Sequence, residues 1–537
     1  MESTYNNSTE DNKSVQSRYA QCESAREVYL DRARESAKLT LPYLIPEDGT
    51  GQTTRYSTPY QGIGARGVNN LSAKLLLALL PPNAPFFRLR IQDSIIKELS
   101  EDESMKTDIE KGLSEIESAI QQNIESSADR VVIHEALRHL IVGGNALLFV
   151  DKKGTRVFHL DRYVVKRDPA GNVIEIITRE TLSPSTLSPE ALNLIGGQLS
   201  QDEKNVDIYT HVCKIAGKNK YYVCQEIKGV KIPSSEGYYD IDKSPFIALR
   251  WNRIDGEDYG RGFVEEYLGD LKSLEGLTQA IVEGASASAK VLFMVAPNGT
   301  TRARSLAQSP NGAIIEGSAQ DVSVLQVQKY NDFRVAYDTM QRIEQRLQYA
   351  FMLNASVQRQ AERVTAEEIR FMANELEDAL GGTYAMLSQE FQLPYVNRKM
   401  AVMTKSKELP ALPKTVKPQI VTGLEALGRG NDRNKLMNFL TTLGTQLGPE
   451  IIQQYVNLDD AISRLATADG IDTKGLIKTK EDLQAEQEQQ QMAQQQAMQQ
   501  QQASEVGGNV ASKVASKLNP EDIDPEALQD AMTQMQN

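Results

Sequence analysis

Residues 331–394 read NDFRVAYDTMQRIEQRLQYAFMLNASVQRQAERVTAEEIRFMANELEDALGGTYAMLSQEFQLP. Phe333, Ala336, Met340, Ile343, Leu347 and Phe351 recur at three- and four-residue steps, which predicts one apolar stripe along a helix. Arg334, Asp338, Arg342 and Arg346 fall on the opposite face, with Arg334–Asp338 and Asp338–Arg342 at helical i,i+4 spacing. The pattern stops at Asn354. Residues 355–364 (ASVQRQAERV) carry two arginines, two glutamines and almost no large apolar side chain. Thr365-Ala366-Glu367-Glu368 then forms a capping box, and Ile369, Met372, Leu376, Leu380, Leu387 and Phe391 restart the helical period. The stretch therefore predicts two rods joined by a basic polar elbow.

Upstream, residues 263–287 predict a helix with Val264, Leu268, Leu271, Leu274, Leu277 and Ile281 as its stripe. It is acidic, with Glu265, Glu266, Asp270, Glu275 and Glu283 against Lys272 alone. Between the two helices lie three β-type runs, VLFMVAP, GAIIEG and VSVLQV, around a Gly/Pro/Asn-rich interior, which predicts a compact β-module. Earlier still, helices are predicted at about 13–39, 61–80, 102–125 and 129–141, and small residues (Gly62, Gly64, Ala65, Gly67) in the second allow close backbone approach. Residues 145–255 change to strand patterns, with turns at Asp168–Asn172 and Ala216–Asn219. The Ser/Pro-rich stretch 182–203 reads as a surface excursion. After Pro394 the pattern gives a Pro-punctuated connector and a small helical unit at about 419–475, and a Gln-rich low-complexity tail closes the chain.

The 537 residues suffice for one very large core or several smaller ones, and 40% apolar with 24% charged residues is ordinary for a folded chain. A net charge of −13 argues against a general nucleic-acid coat, which needs cations to neutralise phosphates, but permits an acidic wall that encloses DNA without gripping it. The three cysteines, Cys22, Cys213 and Cys224, have no metal spacing and are expected as reduced core thiols. The polar N-terminus has no apolar run, so no signal peptide is expected, and Leu75–Leu80 is too short to span a bilayer.

Catalytic chemistry finds little support. There is no G-x-x-x-x-G-K-[ST] phosphate loop. His134 and His139 sit five apart, whereas a zinc helix needs four, so surface or capped histidines are expected. Four histidines in the whole chain leave little for acid–base work. No metal, cofactor or enzymatic activity is expected.

Seven segments then carry a resemblance in order along the chain: YQGIGARGVNNLSAKLLLALLPP (60–82), EALRHLIVGGNALLF (135–149), YVVKRDPAGNV (163–173), GRGFVEEYLGDLKSLEGLTQAIV (260–282), FMLNASVQRQAERVTAEEIR (351–370), ELEDALGGTYAMLSQEFQLP (375–394) and TGLEALGRGND (422–432). Together they resemble the portal, or head-to-tail connector, proteins of short-tailed bacteriophages of the autographivirus group. The resemblance implies an α+β, mainly helical portal fold that assembles into a ring, usually of twelve subunits, at one capsid vertex. Double-stranded DNA would enter through it under a separate terminase motor and leave through it later. A tail adaptor, major capsid and scaffolding proteins and internal core proteins would be partners, with assembly in the host cytoplasm and no membrane. Carried over by segment, it implies a disordered N-terminus (1–13), a wing (14–262), stem helices (263–290 and 331–353), a clip (291–330), a tunnel loop (354–364), a long wing helix (365–395), a crown (396–475) and the tail (476–537). Gln358, Arg359, Gln360 and Arg363 would then line the channel constriction, although Arg359 and Arg363 fit equally a solvated hinge paired with Glu362 or Glu367. Arg302 and Arg304 would dock partners on the clip, and Met340, Ile343, Leu347 and Phe351 would form the stem interface. A cytoplasmic scaffold of helical hairpins is the competing class.

Overall fold

The computed structural model describes residues 14–47, 53–82, 86–91, 103–195, 204–288, 292–325, 330–353, 375–376, 379–410, 416–420 and 428–446, with a few isolated positions besides. The elbow 354–364, the terminal stretches 1–13 and 476–537, and the capping box at Thr365 lie outside the described residues.

The first unit, residues 1–428, opens with helix α1 (Val15–Lys38). Its exposed N-terminal amides are met by a carboxylate from far along the chain: Val15 and Gln16 donate to Glu226 at 3.0 and 3.2 Å. An anion there satisfies two orphan donors and complements the helix dipole. Helix α2 (Ile63–Leu79) follows, then strand β1 (Phe87–Ile91), α3 (Glu103–Ser126) and α4 (Asp129–Gly143). Helix α4 ends on Gly144 with φ +74°, where an added Cβ would lie 2.5 Å from the amide of Gly262, so the turn into the next strand requires glycine.

That strand, β2 (Asn145–Asp151), is central in a three-stranded sheet between β3 (Gly154–Phe158) and β9 (Phe246–Arg250). Ala146, Leu147 and Leu148 are fully covered, the pattern of a strand buried on both faces. The intervening strands β4 (Tyr163–Arg167), β5 (Val173–Leu182), β6 (Val206–Lys214), β7 (Lys220–Ile227) and β8 (Val230–Asp240) form an antiparallel meander in sequence order. The predicted turn at Asp168–Asn172 closes by Asp168 N–H to Asn172 O and Gly171 N–H to Asp168 O. The three cysteines are reduced thiols, with Cys224 buried and Cys22 and Cys213 half-buried.

Four expectations change. The stretch 182–203 includes helix α5 (Pro189–Ile195), whose Ala191 and Ile195 join Val206, Ile208, Ile227 and Ile232 in a separate small core. Apolar residues at i and i+4 gave that helix a stripe that the serines and prolines around it hid. His139 is 3% exposed, not on the surface, and stacks on His159 with centroids 6.1 Å apart. The Pro-rich connector contains strand β12 (Val416–Ile420), which pairs with β1 from Phe87↔Ile420 to Ile91↔Val416; Pro418 is tolerated because only one neighbour is needed on an edge. Pro394 does not end a helix. Helix α10 (Gly382–Leu387) passes through a π turn at Ser388–Gln392 into α11 (Leu393–Lys405), and Pro394 occupies the first turn of α11. A first-turn proline gives up a donor that the change of helix type had already displaced.

Buried ion pairs tie α11 to this body. Lys399 pairs with Asp129 at 2.6 Å, and Tyr395 Oη donates to the same carboxylate at 2.7 Å. Arg250 pairs with Glu390 of the π turn at 2.6 Å.

Between α6 (Phe263–Glu266) with α7 (Leu268–Ser288) and the later long helix α9 (Tyr330–Ala350) lies an insert: strand β10 (Leu292–Val295), short helix α8 (Ala303–Gln308) and strand β11 (Val322–Leu325). β10 and β11 pair antiparallel from Leu292↔Leu325 to Val295↔Val322. The run GAIIEG is not a strand; Ile314 is fully exposed, and no strand among the described residues pairs with it. The second unit begins at Arg429, and the helix α12 (Gly428–Gln446) makes up most of what is described of it, with Met437 and Phe439 exposed.

Two outcomes follow from this packing. Leu347 is fully buried, so Leu347→Asp should cost on the order of 4 kcal/mol and give insoluble or unfolded chain; a soluble variant with unchanged melting temperature would contradict the packing. Burial, with a lesser push from His159, holds His139 at about 3, and burial holds His159 at about 4 against the opposing pull of Asp161. Both are neutral when folded and protonate below about 6.5 once unfolded, so the unfolded state binds more protons and stability falls as the pH drops below 6.5. His139→Phe should flatten that fall by up to about 1.4 kcal/mol per pH unit. A thermal-melt series from pH 7 down to about 4.5 checks it, and a pH-independent difference between variant and parent would contradict it.

Candidate functional site

Helices α7 and α9 pack side by side, and their contact is built from the predicted stripes. Leu271 and Leu274 on one and Ile343 and Leu347 on the other are buried, and Met340 is half-buried with its Sδ 3.7 Å from Thr278 Oγ1. At the insert end, Gly284 leaves the space that the Phe333 ring fills. At the other end, Phe351 has no exposed surface. Its ring meets Phe263 edge-on at 5.5 Å and Tyr267 at 6.0 Å, and Phe263 in turn meets Trp251. On the side of α2, a Cβ on Gly67 would lie 2.5 Å from the Phe351 ring, so the small residue at that position is what admits the aromatic.

Of the four residues expected at the stem interface, Ile343, Leu347 and Phe351 are buried against other elements of their own chain, and Met340 is half-buried. The stripe was legible in the sequence, but a stripe does not say whose helix it meets. The opposite face of α9 is open: Arg334, Asp338, Arg342 and Arg346 are exposed, as are Val335, Tyr337 and Tyr349.

The last carbonyls of α9 lack partners within the helix, and α2 supplies them. Asn70 Nδ2 donates to Phe351 O at 3.1 Å and Met352 O at 2.9 Å, and Lys74 Nζ donates to Met352 O at 3.1 Å. A cation at a helix C-terminus also complements the dipole. Met352 takes a left-handed conformation, φ +52°, at this capped end. Lys74 is buried and pairs in addition with Glu375 at 3.3 Å. The sequence reading passed over Asn70 and Lys74. The signal was a lone lysine in the run SAKLLLALL, three residues after Leu71 and one before Leu75, both buried.

The acidic face of α6 and α7 is less bare than its composition suggests. Glu275 accepts the amides of Tyr60 and Gln61 at 2.9 and 3.1 Å, just before α2 begins. Asp270 pairs with Arg346 of α9 at 2.8 Å, Glu265 with Arg261 at 3.4 Å, and Glu266 accepts from Asn252 at 3.2 Å. Burial raises the pKa of Glu266, with its neighbour Glu265 adding to the rise and the Asn252 contact opposing it. Most of these acids hold the helix in place, and Glu283 with its contact to Gln279 is the one nearest the insert.

In the insert, Asp321 organises the loop by accepting from Thr301 N at 3.0 Å, Thr301 Oγ1 at 3.0 Å and Thr300 Oγ1 at 3.1 Å. Arg302 and Arg304 flank the start of α8, are exposed, and carry no ion pair among the described residues. Phe293 and Met294, adjacent in β10, are 62% and 50% exposed, so both faces of the two-stranded ribbon present apolar surface. Gln358, Arg359, Gln360 and Arg363 lie outside the described residues. Among the described residues no group of His, Cys, Asp and Glu could hold a metal ion, and no helix is long and apolar enough to cross a membrane.

The comparisons with known proteins agree with one another. A family model described as bacteriophage head to tail connecting protein matches residues 12–477. The portal protein of Escherichia phage T7 is 41% identical over 481 residues, covering 88% of this chain and 89% of that protein. The portal protein of Enterobacteria phage T3 is 42% identical over 476 residues, covering 87% and 88%, and that of Enterobacteria phage SP6 is 32% identical over 473 residues, covering 86% and 90%. Among solved structures, a chain in the neck of an empty gene transfer agent particle covers 72% of this chain and 87% of its own at 12% identity and a TM-score of 0.32, too loose a superposition to bear on this fold. On the extent of the family match and the identity of these relatives, the chain belongs to the family of bacteriophage head-to-tail connecting proteins.

Proposed function

We propose that this chain is a structural portal subunit: copies close into a ring at one capsid vertex, through which double-stranded DNA enters under a separate motor and later leaves. The ring number implied by the sequence resemblance is twelve, and catalysis is no part of the role. In this reading residues 14–262 form the wing, 263–290 and 331–353 the stem, 291–330 the clip, 354–364 the tunnel loop, 365–395 the wing helix and 396–475 the crown.

The observation that carries ring closure is the insert ribbon. An isolated two-stranded ribbon is marginal in water, and this one exposes Phe293 on one face and Met294 on the other. Two apolar faces call for two covers, one on each side. A heterologous, head-to-tail interface supplies both, because every subunit in a closed ring has a neighbour on each side. Arg302 and Arg304 suit a different task. Exposed cations make exchangeable polar contacts, which fits partners that bind the same end at different times, the motor first and the tail adaptor afterwards.

These two roles separate by mutation. Phe293→Ser with Met294→Ser should leave a folded chain that fails to close rings in native mass measurement. Arg302→Glu with Arg304→Glu should give normal rings that attach adaptor poorly at moderate salt. Rings from the first pair, or full attachment by the second, would contradict the corresponding assignment.

Arg359 and Arg363 are proposed as a weak cationic collar on passing DNA, with Gln358 and Gln360 offering neutral, easily exchanged hydrogen bonds. DNA must slide, so contacts have to be few and screened, and charges apart by more than about 10 Å are largely screened at ordinary salt. Arg359→Ala with Arg363→Ala should leave rings intact and permit DNA entry, yet shorten the nuclease-protected genome retained in heads before a tail is attached. Full-length, stably retained genomes would reject the collar and leave a solvated hinge.

A further inference from the structure

We propose that Lys74 of α2 is a positioning residue for the elbow: one buried ammonium ties both the departure of the chain from α9, at Met352, and its return, at Glu375. The inference rests on the portal reading for its consequence, but the tie itself stands on the geometry.

The argument starts from the cost of burying a lysine. Lys74 is 5% exposed and lies between Leu71 and Leu75 of α2, both of which are fully buried. A buried ammonium is tolerated only where it is paired and hydrogen-bonded. Among the described residues it donates to Met352 O at 3.1 Å and to Glu375 Oε2 at 3.3 Å. The first is a carbonyl just past the C-terminus of α9, where the negative end of the dipole gathers. The second is a carboxylate 23 residues further along, in the next described segment of the chain. The ammonium has three donors and these two acceptors answer two of them, so losing either leaves a buried charge with a single hydrogen bond, and the low-dielectric site favours the arrangement that brings both ends of the intervening chain to the same place.

The rest of the junction fixes the first end independently. Asn70, one helical turn before Lys74, holds Phe351 O and Met352 O. Gly67, one turn earlier again, admits the Phe351 ring. Positions 67, 70 and 74 thus form one face of α2, spaced three and four apart, devoted to the end of α9. Glu375 is followed by fully buried Leu376, which anchors the returning chain beside its carboxylate. Because α2 belongs to the main body of the first unit, the two ends of residues 353–375 are referred to that body and not only to the helices they join. Every copy in a ring would present the intervening residues from the same base.

The test separates the tie from its consequence. Glu375 is partly exposed, with 28% of its side chain open, so Glu375→Gln removes the charge without emptying the core. Lys74→Met is the stronger change, and Asn70→Ala is the companion that loosens only the carbonyl end. Amide exchange on the intact chain is read for the peptide covering 345–353, whose terminal amides donate from Phe351 to Leu347 O, from Met352 to Tyr349 O and from Leu353 to Gln348 O. In Glu375→Gln and in Asn70→Ala its exchange should rise about tenfold, while a peptide within 333–343 is unchanged. Unchanged exchange at 345–353, or an equal rise in both peptides, would overturn the tie. Packaged genome length is then read in heads made with Glu375→Gln. Raised exchange together with shortened genomes supports positioning of the elbow; raised exchange with full-length, stably retained genomes would overturn that role. Neither exchange result depends on ring closure or on the portal reading.

Discussion

The ring of Phe351 has no exposed surface, and the placement of the long helix pair depends on it. Gly67 of α2 admits it, Phe263 and Tyr267 close over it, and Asn70 and Lys74 hold the carbonyls beside it. Aromatic burial of this kind contributes area plus edge-to-face preference, together a few kcal/mol. It also sets direction. Once the end of α9 is fixed on α2, the stripe Leu347, Ile343, Met340, Phe333 can lie only along α7, and the insert is carried at the far end of both helices. The apolar face of the pair is spent inside the subunit, which leaves the polar face, with Arg342, Arg346 and Tyr349, to meet whatever surrounds it.

Charge is distributed in the same economical way. Acids that looked like an acidic wall in the composition of α6 and α7 turn out to cap and pair: Glu275 before α2, Asp270 with Arg346, Glu265 with Arg261. Deeper in the first unit, Glu175 accepts from His211 at 2.7 Å and Arg18 at 2.8 Å. Burial alone would raise its pKa, but those two partners outweigh it and hold the carboxyl at about 2. Buried carboxylates of this kind give orientation more than net stability. The net charge of −13 is therefore not a free field over the whole surface.

Helical elements were legible where an apolar period ran long, as in α9 and α7, since a stripe of that length has no other common explanation. Elements whose stabilisation is non-local were hidden. Strand β12 forms because β1, more than three hundred residues earlier, offers it an edge, and nothing within VKPQI announces that. Helix α11 runs past Pro394 because a π turn precedes it, and that turn is held by Glu390 reaching Arg250. GAIIEG had strand composition but, among the described residues, no neighbour to pair with. The candidate site divides along the same line. Arg302 and Arg304 could be named from composition because they are exposed, and Phe351 from periodicity. Lys74 could not be assigned a role, since its two partners are separated from it by 278 and 301 residues.

Side-chain-resolved imaging of the purified oligomer tests this account most directly, because it reads ring closure and helix ownership in one measurement. The account predicts a closed ring with a central hole, in which Leu347 and Phe351 keep their contacts within one subunit and the insert ribbon is covered on both faces by neighbours. An open filament, a population of monomers, or a ring in which α7 and α9 of different subunits exchange that stripe would contradict it.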